Sequence, residues 1–272
     1  MINSKTFMLC NSITEKELPN LKGNFLANIK YDGERCITII KDNEVFMLNR
    51  RGKIITQNFP EIEAELKTLD NCIIDGEVIA ETEKFEDLQR RALIKGKAEI
   101  EKRAKEIPCR YMVFDILQIE NLALTQKPLQ ERIRELCCFL DDKILDFKHL
   151  FLARYEDIDE LLDYAKATEQ EGIVIKNMNS PYESRRSANW LKLKFFQETT
   201  IIVTKYTTNP AGIRCETNDG IAIQVSGSQH KEVKQAIDEK GGCIVNIQYL
   251  TKTETGKYRF PSFRGVAKEV EV

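Results

Sequence analysis

The segment Lys30-Tyr31-Asp32-Gly33-Glu34-Arg35 follows the apolar run Phe25-Leu26-Ala27-Asn28-Ile29, and the two stretches together indicate a strand, a turn and a reactive lysine. The run predicts a strand that ends at Lys30, and Asp32-Gly33 predicts a turn that returns a carboxylate and the Arg35 guanidinium. A lysine is nucleophilic only when deprotonated, which requires partial desolvation or nearby cations. Lys30 is therefore a candidate nucleophile, although the same pattern also occurs in ordinary strand-turn-strand hairpins.

The composition is that of a globular protein with room for two domains. The 272 residues are 42% hydrophobic and 31% charged, with a formal net charge of -2. No apolar stretch reaches the roughly 20 residues of a membrane-spanning helix, and the N-terminus has no signal-peptide pattern. We therefore expect an intracellular, cytoplasmic protein without membrane contact. The eight cysteines form no Cys-x-x-Cys pair, which favours reduced thiols over disulfides or zinc.

The first two thirds of the chain alternate between strand and helix patterns, which predicts an α+β domain over residues 1–196. The predicted strands are Arg35 to Lys41, Glu44 to Asn49, Cys72 to Ala80 and Tyr111 to Leu117. The predicted helices are Glu61 to Leu69, Glu86 to Glu106, Leu129 to Leu140 and Ile158 to Glu169.

Short strands dominate from residue 197 onwards. They are predicted at Thr200 to Tyr206, Gly212 to Glu216, Gly220 to Ser226, Cys243 to Leu250 and Phe263 to Glu271. One helix, His230 to Glu239, lies between the third and fourth of them. Five strands with a helix in this place predict a small all-β OB-fold barrel over residues 197–272.

Basic residues are concentrated in two stretches although the whole chain is nearly neutral. Residues 84–110 contain nine basic and five acidic side chains, and residues 176–194 contain five and one. Such stretches can form a basic face for an anionic partner. The first stretch fits a solvated helix surface equally well.

Carboxylates interrupt two apolar strand patterns. Asp75 and Glu77 flank a glycine in Ile73-Ile74-Asp75-Gly76-Glu77-Val78, and burying them costs free energy unless they contact a hydroxyl group, a cation or a metal ion. The run Glu171-Gly172-Ile173-Val174-Ile175-Lys176 begins with a glutamate and ends with a lysine. This arrangement suits a metal-binding carboxylate and a phosphate contact on one surface.

Cations and an aromatic side chain mark three further segments. Lys192 and Lys194 share one face of a predicted strand, where two ammonium groups favour an anion such as a triphosphate between them. Asn49-Arg50-Arg51-Gly52-Lys53 predicts a turn with two guanidinium groups, which taken alone indicates a solvated hairpin tip. Phe114 lies in a buried strand pattern and can stack on a base, although core packing is its more frequent role.

The ordered set of segments resembles the motifs of the covalent nucleotidyltransferases and, within them, of the ATP-dependent DNA ligases. Lys30 to Arg35 fits Lys-x-Asp-Gly-x-Arg, and the later motifs are matched by Asp75 to Glu77, Tyr111 to Leu117, Glu171 to Lys176 and Trp190 to Lys194. The stretch that begins at Phe85 is similar to Phe-x-x-Leu-Gln-x-Arg. Arg259 to Phe263 is similar to Arg-Phe-Pro-x-Phe.

This resemblance implies a nucleotidyltransferase (ATP-grasp-like adenylation) domain followed by the OB-fold barrel. It implies a monomeric enzyme that seals 5'-phosphate/3'-hydroxyl nicks in duplex DNA through lysyl-AMP and DNA-adenylate intermediates. ATP is the implied cosubstrate and Mg²⁺ or Mn²⁺ the implied metal. Accessory repair or replication proteins are left open.

Carried over position by position, the resemblance also implies roles for individual residues. Lys30 forms the phosphoramide with AMP, Asn28 contacts the adenine edge, and Phe114 stacks on adenine. Glu77 contacts the ribose, and Glu171 and Glu77 bind metal. Arg35 and Arg50 contact the nucleotide or the nick phosphate, and Arg186, Lys192 and Lys194 hold phosphate. The candidates for DNA contact are Asp32, Arg50, Arg91, Lys95, Lys97, Lys176, Arg259 and Arg264.

Two departures from the family pattern accompany the resemblance. Ala267 stands where the sixth motif has a further arginine, and Arg264 or Lys268 is expected to substitute for it. The chain begins almost at the catalytic domain and ends with the barrel, without a long barrel insertion, which indicates a minimal form. The alternatives are an RNA ligase, a GTP-dependent mRNA capping guanylyltransferase and a non-catalytic nucleic-acid-binding module.

Overall fold

The computed structural model of the chain describes residues 6–218, 220–253 and 255–267. Contacts between Cα atoms divide the chain into two compact units, Met1–Leu193 and Lys194–Val272. Each unit has its own hydrophobic core.

The first unit mixes strands and helices. Its strands are β1 (Leu9–Ser12), β2 (Phe25–Ile29), β3 (Glu34–Lys41), β4 (Glu44–Asn49), β5 (Cys72–Ala80), β6 (Cys109–Ile119), β7 (Leu122–Ala123), β8 (Leu150–Leu152), β9 (Gly172–Asn177) and β10 (Arg186–Lys194). The last residue of β10, Lys194, belongs to the second unit. Its α-helices are α1 (Pro60–Leu66), α2 (Phe85–Ala92), α3 (Lys97–Glu106), α4 (Leu129–Leu140) and α5 (Ile158–Ala167).

Two sheets organise this unit. The larger sheet has the strand order β4-β3-β5-β6-β7, with β8 paired in parallel to β6. The smaller sheet has the order β1-β10-β9-β2, in which β2 and β9 are antiparallel and β1 and β10 are parallel. Lys30, directly after β2, and Glu171, directly before β9, therefore lie at the adjoining ends of two paired strands.

The larger sheet is buried on both faces, which explains why its central strands are almost continuously apolar. One face packs against α1 and α4 in a core that includes Ile62, Leu136 and Ile74. The other face contributes Ile37 and Phe114 to a second cluster with Trp190 of β10. Polar side chains on that second face consequently lie between the two sheets.

The second unit is a β-structure with one helix. Its elements are β11 (Gln197–Val203), β12 (Lys205–Asn209), β13 (Gly212–Glu216), β14 (Ala222–Val225), α6 (His230–Lys240), β15 (Cys243–Tyr249) and β16 (Ser262–Val266). They form the three-stranded sheets β11-β15-β16 and β12-β13-β14, which enclose one apolar core. The predicted α+β fold followed by an OB-fold barrel is confirmed.

Several predicted elements differ in detail from the observed ones. The single helix predicted from Glu86 to Glu106 is wrong, because the chain breaks between α2 and α3, where Gly96 has a φ of 95°. The strand predicted from Thr200 to Tyr206 divides into β11 and β12 around Thr204. The end of the strand predicted to reach Glu271, and with it Lys268, lies outside the described residues. None of the helices in the described residues has the length and apolar character needed to cross a membrane.

Candidate active site

Lys30 follows β2 directly and is held by both its backbone and its side chain. Its N–H donates to the carbonyl of Gly172 at 2.9 Å, and its Nζ donates to Oε2 of Glu171 at 2.5 Å. The Lys30 side chain is 21% exposed and the Glu171 side chain 5%. The pairing of β2 with β9 thus places the predicted nucleophile against a nearly buried carboxylate at a site that solutes can reach.

The turn after Lys30 lies close against β5. A Cβ on Gly33 would overlap the carbonyl oxygen of Val78 and approach the Glu77 side chain within 2.8 Å. Any other residue at position 33 would therefore push the loop away from the strand that carries Glu77. This close approach explains the glycine of the motif.

Arg35 forms an internal ion pair. Its Nε and Nη2 donate to the two carboxylate oxygens of Asp75 at 2.6 and 2.7 Å, and Tyr182 donates its hydroxyl to the same carboxylate at 2.7 Å. Burial alone would lower the pKa of Arg35, but the Asp75 carboxylate outweighs it and raises this pKa above its usual value. Arg35 is therefore permanently charged, with part of its donor capacity already used.

Glu77 lies opposite Arg35 in the β3–β5 ladder. Burial raises the pKa of Glu77 to about 7, against the opposing effects of the Arg35 and Lys30 cations. Glu171 is among the charges that raise the Glu77 pKa further, so these two carboxylates act on each other. A hydroxyl group or a cation would relieve the cost of ionising Glu77 near neutral pH.

Phe114 is 5% exposed and contacts two basic side chains. The Arg35 guanidinium lies 4.6 Å and the Lys176 Nζ 4.0 Å from the centre of its ring, and Trp190 packs edge-on at 6.0 Å. Lys176 also lies 4.2 Å from the Trp190 ring. Stacking of adenine on Phe114 stays a prediction, and it requires these side chains to leave one ring face accessible.

Asn28 is buried two residues before Lys30. Its Nδ2 donates to the carbonyl of Ile29 at 2.9 Å, whereas its Oδ1 has no hydrogen-bond partner. An unpaired buried acceptor costs roughly 1–3 kcal/mol, so a ligand that donates to it gains affinity.

The phosphate-binding candidates occupy different environments. Arg50 is exposed in the turn after β4, and Arg186 is exposed and donates through Nη1 to the carbonyl of Cys10. Lys192 and Lys194 are half-buried on β10, alternating with the buried Leu191 and Leu193 as predicted. Lys194 belongs to the second unit, where it lies 5.3 Å from the Phe260 ring.

Two of the predicted DNA contacts are corrected by their burial. Arg91 is 0% exposed and binds both carboxylate oxygens of Glu61 at 2.7 and 2.9 Å, and Lys176 is 1% exposed. Neither side chain can touch DNA phosphates without leaving the protein interior. Both side chains were predicted at the surface but lie inside, because tertiary packing decides which basic side chains reach the surface and a count of charges along the sequence does not report it.

The remaining DNA-contact candidates are accessible to different degrees. Asp32 and Arg259 are half-buried, and Arg264 is exposed and donates to Gln248. Lys95 is exposed between α2 and α3, and Lys97 is exposed at the start of α3. These residues stay candidates.

Sequence reasoning missed two tyrosines of the site. Tyr155 accepts a hydrogen bond from Lys176 at 2.7 Å and donates one to the carbonyl of Phe114 at 2.7 Å. Tyr182 contacts Asp75, as described above. Both residues lie outside the motif segments, so no spacing pattern could have identified them.

A lysine paired with a buried glutamate, in a two-sheet domain that an OB-fold barrel follows in the chain, is typical of the covalent nucleotidyltransferases. A family model described as ATP dependent DNA ligase domain matches residues 7–194. The chain therefore belongs to the family of ATP-dependent DNA ligases.

Individual relatives agree with this assignment. The SPbeta prophage-derived DNA ligase-like protein LigB of Bacillus subtilis (strain 168) is 32% identical over 276 residues, which cover 94% of this chain and 96% of that protein. The bifunctional non-homologous end joining protein LigD of the same organism is 27% identical over 88% of this chain, but the match spans only 42% of LigD. The DNA ligase of Sulfurisphaera tokodaii is 31% identical over 65% of this chain and 31% of its own length.

Solved structures share the fold. The structure named Pmar-Lig_Pre. has a TM-score of 0.76 and 25% identity, covering 96% of this chain and 67% of that one. A structure from a study of Lig E DNA ligases has a TM-score of 0.68 and 20% identity, covering 96% of this chain and 99% of that one.

Proposed function

We propose that this DNA ligase seals nicks with a 5'-phosphate and a 3'-hydroxyl in duplex DNA, and that Lys30 is its nucleophile. In this proposal residues 1–196 form the adenylation domain and residues 197–272 the OB-fold domain. The observation that carries the proposal is the Lys30 Nζ held 2.5 Å from the Glu171 carboxylate, beside Arg35 and Glu77.

The first step forms a bond between Lys30 Nζ and the α-phosphorus of ATP. The bond from that phosphorus to the pyrophosphate oxygen breaks, and a proton leaves Nζ. The Glu171 carboxylate already accepts a hydrogen bond from Nζ, so it is placed to hold this proton. Arg35 remains charged and contributes positive potential where the phosphate charge develops.

The next two steps transfer the AMP and then release it. An oxygen of the 5'-phosphate attacks the lysyl-AMP phosphorus, the bond from that phosphorus to Nζ breaks, and Lys30 leaves as the amine by taking up a proton, which Glu171 is placed to return. The oxygen of the 3'-hydroxyl then attacks the adenylated 5'-phosphate and loses its proton to solvent, the phosphorus–oxygen bond to AMP breaks, AMP departs, and the strand is sealed. Both steps need the nick phosphate held near Lys30 by cations.

The residues present fit a Mg²⁺ or Mn²⁺ ion bound together with ATP. Mg²⁺ in phosphate-transfer sites is bound through one or two carboxylates plus substrate oxygens, and Glu171 and Glu77 supply two carboxylates. Within the described residues no group of three or more His, Cys, Asp or Glu side chains could hold a metal by itself, so phosphate oxygens would complete the ligand set. When bound, the ion neutralises charge on the transferring phosphate.

Asn28 supports ATP rather than GTP as the nucleotide. Its unpaired Oδ1 matches the amino group of adenine, which donates hydrogen bonds. Guanine carries an acceptor oxygen at the corresponding position, and two acceptors repel each other. This argues against the guanylyltransferase alternative.

Intact-mass measurement after incubation with ATP tests the proposal. We expect the wild-type protein to gain the mass of one AMP and the Lys30→Ala variant to gain none. Gel assays with labelled nicked DNA and nicked RNA, run in parallel with GTP as the alternative nucleotide, separate a DNA ligase from its three rivals. An adduct on the Lys30→Ala protein would overturn the choice of nucleophile.

A further inference from the structure

Asp75 is a buried carboxylate on β5 that holds the Arg35 guanidinium. Its two oxygens accept hydrogen bonds from Nε and Nη2 of Arg35 at 2.6 and 2.7 Å. A guanidinium is planar and rigid, so the donors that this ion pair does not use take their direction from it. The orientation of the Asp75 carboxylate therefore determines where Arg35 presents its positive charge.

A third donor holds the same carboxylate. The Tyr182 hydroxyl donates to Oδ2 of Asp75 at 2.7 Å, and the hydroxyl oxygen accepts from the Met8 N–H at 3.1 Å. A backbone N–H can only donate and an ionised carboxylate can only accept, so the direction of the hydroxyl proton is fixed. Burial and the Asp75 charge raise the pKa of Tyr182 well above its usual value, so this proton stays on the tyrosine. These bonds connect the Met8 backbone to the Arg35 guanidinium, and we call them the Tyr182 network.

The Tyr182 network is enclosed by packed side chains. Met8 is 0% and Tyr182 4% exposed, and the Tyr182 ring packs edge-on against Trp190 with the ring centres 5.8 Å apart. Phe7, which belongs to the same apolar cluster, has its ring centre 5.9 Å from the guanidinium carbon of Arg35. Residues 7 and 8 thus act on the surroundings of Arg35 both directly and through Tyr182.

Packing alone does not require the Tyr182 hydroxyl. A phenylalanine at this position would keep the ring contacts with Trp190 and with the Arg132 guanidinium, whose central carbon lies 5.8 Å from the ring centre. Arg132 has its own carboxylate, because its Nε and Nη2 donate to the two oxygens of Asp115, each at 2.8 Å. The hydroxyl therefore serves the Asp75 carboxylate rather than the packing of the ring.

We propose that Tyr182 is a positioning residue of the ligase reaction, which fixes the Asp75 carboxylate and thereby the direction in which Arg35 meets phosphate. Tyr182 itself does not touch the substrate. This inference rests on the proposed ligase function and deepens it, because neither Tyr182 nor Met8 is among the residues given roles above. It also gives the N-terminal segment a part in the site, since the Met8 N–H holds the tyrosine hydroxyl.

Tyr182→Phe tests this role, because it removes the hydroxyl and keeps the ring. A positioning role predicts a lower rate constant for nick sealing at saturating ATP and DNA, with little change in the half-saturating concentration of either substrate. We expect the rate constant to fall about ten- to a hundredfold, because a misplacement of about 1 Å can cost about a hundredfold in rate. Single-turnover gel assays at several ATP and DNA concentrations measure both quantities.

NMR of the arginine side chains reports on Arg35 directly. The Nε–Hε signal of Arg35, assigned by its absence from the spectrum of Arg35→Lys, should shift or broaden in Tyr182→Phe. The Nε–Hε signal of Arg132 should stay in place, because phenylalanine keeps the ring that faces this guanidinium. The Arg132 signal is thus an internal control for a general disturbance of the fold.

Tyr206→Phe is the matched control variant. The Tyr206 hydroxyl also donates to a carboxylate, that of Asp238, at 2.9 and 3.1 Å, but both residues belong to the second unit and have no role assigned above. We expect this variant to keep the wild-type rate constant. Thermal unfolding of both variants, with assays at a temperature where both are folded, separates a loss of rate from a loss of fold.

The outcomes separate this inference from the function on which it rests. If the wild-type protein seals no nicks, the proposed function fails, and the NMR spectra still decide whether Tyr182 orients Arg35. If the wild-type protein seals nicks, a wild-type rate constant for Tyr182→Phe would overturn the positioning role. A slower Tyr182→Phe protein with an unmoved Arg35 signal would overturn the route through Asp75.

Discussion

At the scale of single residues, the site is organised by which charges are satisfied within the protein. Arg35 is held by Asp75, whereas Lys30 pairs with the Glu171 carboxylate. Glu77 is held near its ionisation midpoint at neutral pH. The groups that would meet ATP are therefore the ones that a phosphate, a ribose hydroxyl or a metal ion can still stabilise.

The unpaired acceptor of Asn28 gives the first prediction at this scale. Asn28→Ala removes the acceptor that would meet the adenine amino group, so we expect the rate of Lys30 adenylylation at low ATP to fall about tenfold. The rate with GTP should stay at its low wild-type level or rise. Asn28→Asp keeps an acceptor and serves as the comparison, with quenched-flow mass spectrometry as the measurement. Equal losses for both nucleotides would contradict a role in base recognition.

Lys176 gives a prediction about pH. Burial lowers the pKa of Lys176 to about 7, so between pH 7 and about 10 the unfolded chain binds more protons at this residue than the folded chain. Stability from Lys176 therefore rises with pH in that window. Lys176→Met removes the titration, so we expect the free energy of unfolding of the wild type to gain about 2 kcal/mol relative to the variant from pH 7 to 8.5. Urea unfolding at both pH values measures it, and parallel pH profiles would show that Lys176 is not deprotonated in the fold.

At the scale of elements, α2 shows how one helix separates neighbouring arginines. Arg91 points inward to Glu61 and lies 5.6 Å from the Phe59 ring, whereas Arg90 is 57% exposed and pairs with Asp87. The Glu61 carboxylate also accepts from the Cys109 N–H, so this ion pair joins α1, α2 and β6. The last position of the Phe-x-x-Leu-Gln-x-Arg segment thus has a structural role here.

Substitution of the two arginines separates these roles. We expect Arg91→Ala to lower the free energy of unfolding by about 3–5 kcal/mol, because Glu61 is left buried without its cation. Arg90→Ala, the matched control on the same helix, should change it by at most about 1 kcal/mol. Chemical denaturation with both domains intact measures the difference. Similar small effects for the two variants would show that the Arg91–Glu61 pair does not hold α2 in place.

At the scale of the whole molecule, a net charge of -2 has to be reconciled with a polyanionic substrate. Much of the positive charge of residues 84–110 is neutralised locally, since Arg103 pairs with Glu99 and Lys102 with Glu106. Lys95 and Lys97 remain exposed, with Lys97 only 4.0 Å from Glu101 at the limit of an ion pair. Binding to DNA therefore depends on a few exposed cations, and we expect it to be weak and sensitive to salt.

Reversal of these two charges tests where the DNA lies. With roughly five phosphates neutralised, the wild-type log-log slope should be about -4 to -5, and Lys95→Glu with Lys97→Glu should reduce its magnitude by about 1 to 2. Formation of the Lys30 adduct should not change. The control is Lys16→Glu with Lys22→Glu, which alters net charge equally at two other exposed positions. If both double variants weaken nick binding alike, net charge and not the 95–97 segment is responsible.

The sequence by itself determined the order of the chemical groups along the chain and the local structure that carries them. The spacing in Lys30 to Arg35 specified a strand and a turn, and the alternation at Lys192 and Lys194 specified their common face, because strand periodicity is a local property. The change near residue 197, from mixed strand and helix patterns to short strand patterns, likewise indicated a separate β-structure. Burial of carboxylates in the Asp75 to Glu77 strand indicated an internal partner without naming it.

Only the tertiary structure decided which charged groups meet. Arg35 and Asp75 are 40 positions apart, Lys30 and Glu171 are 141 apart, and Tyr182 reaches Asp75 across 107 positions. The same packing took Arg91 and Lys176 out of solvent and left Arg50 and Arg51 exposed. Periodicity reports the direction of a side chain relative to its own element, whereas its partner and its access to water depend on how sheets and helices pack, which no local pattern encodes.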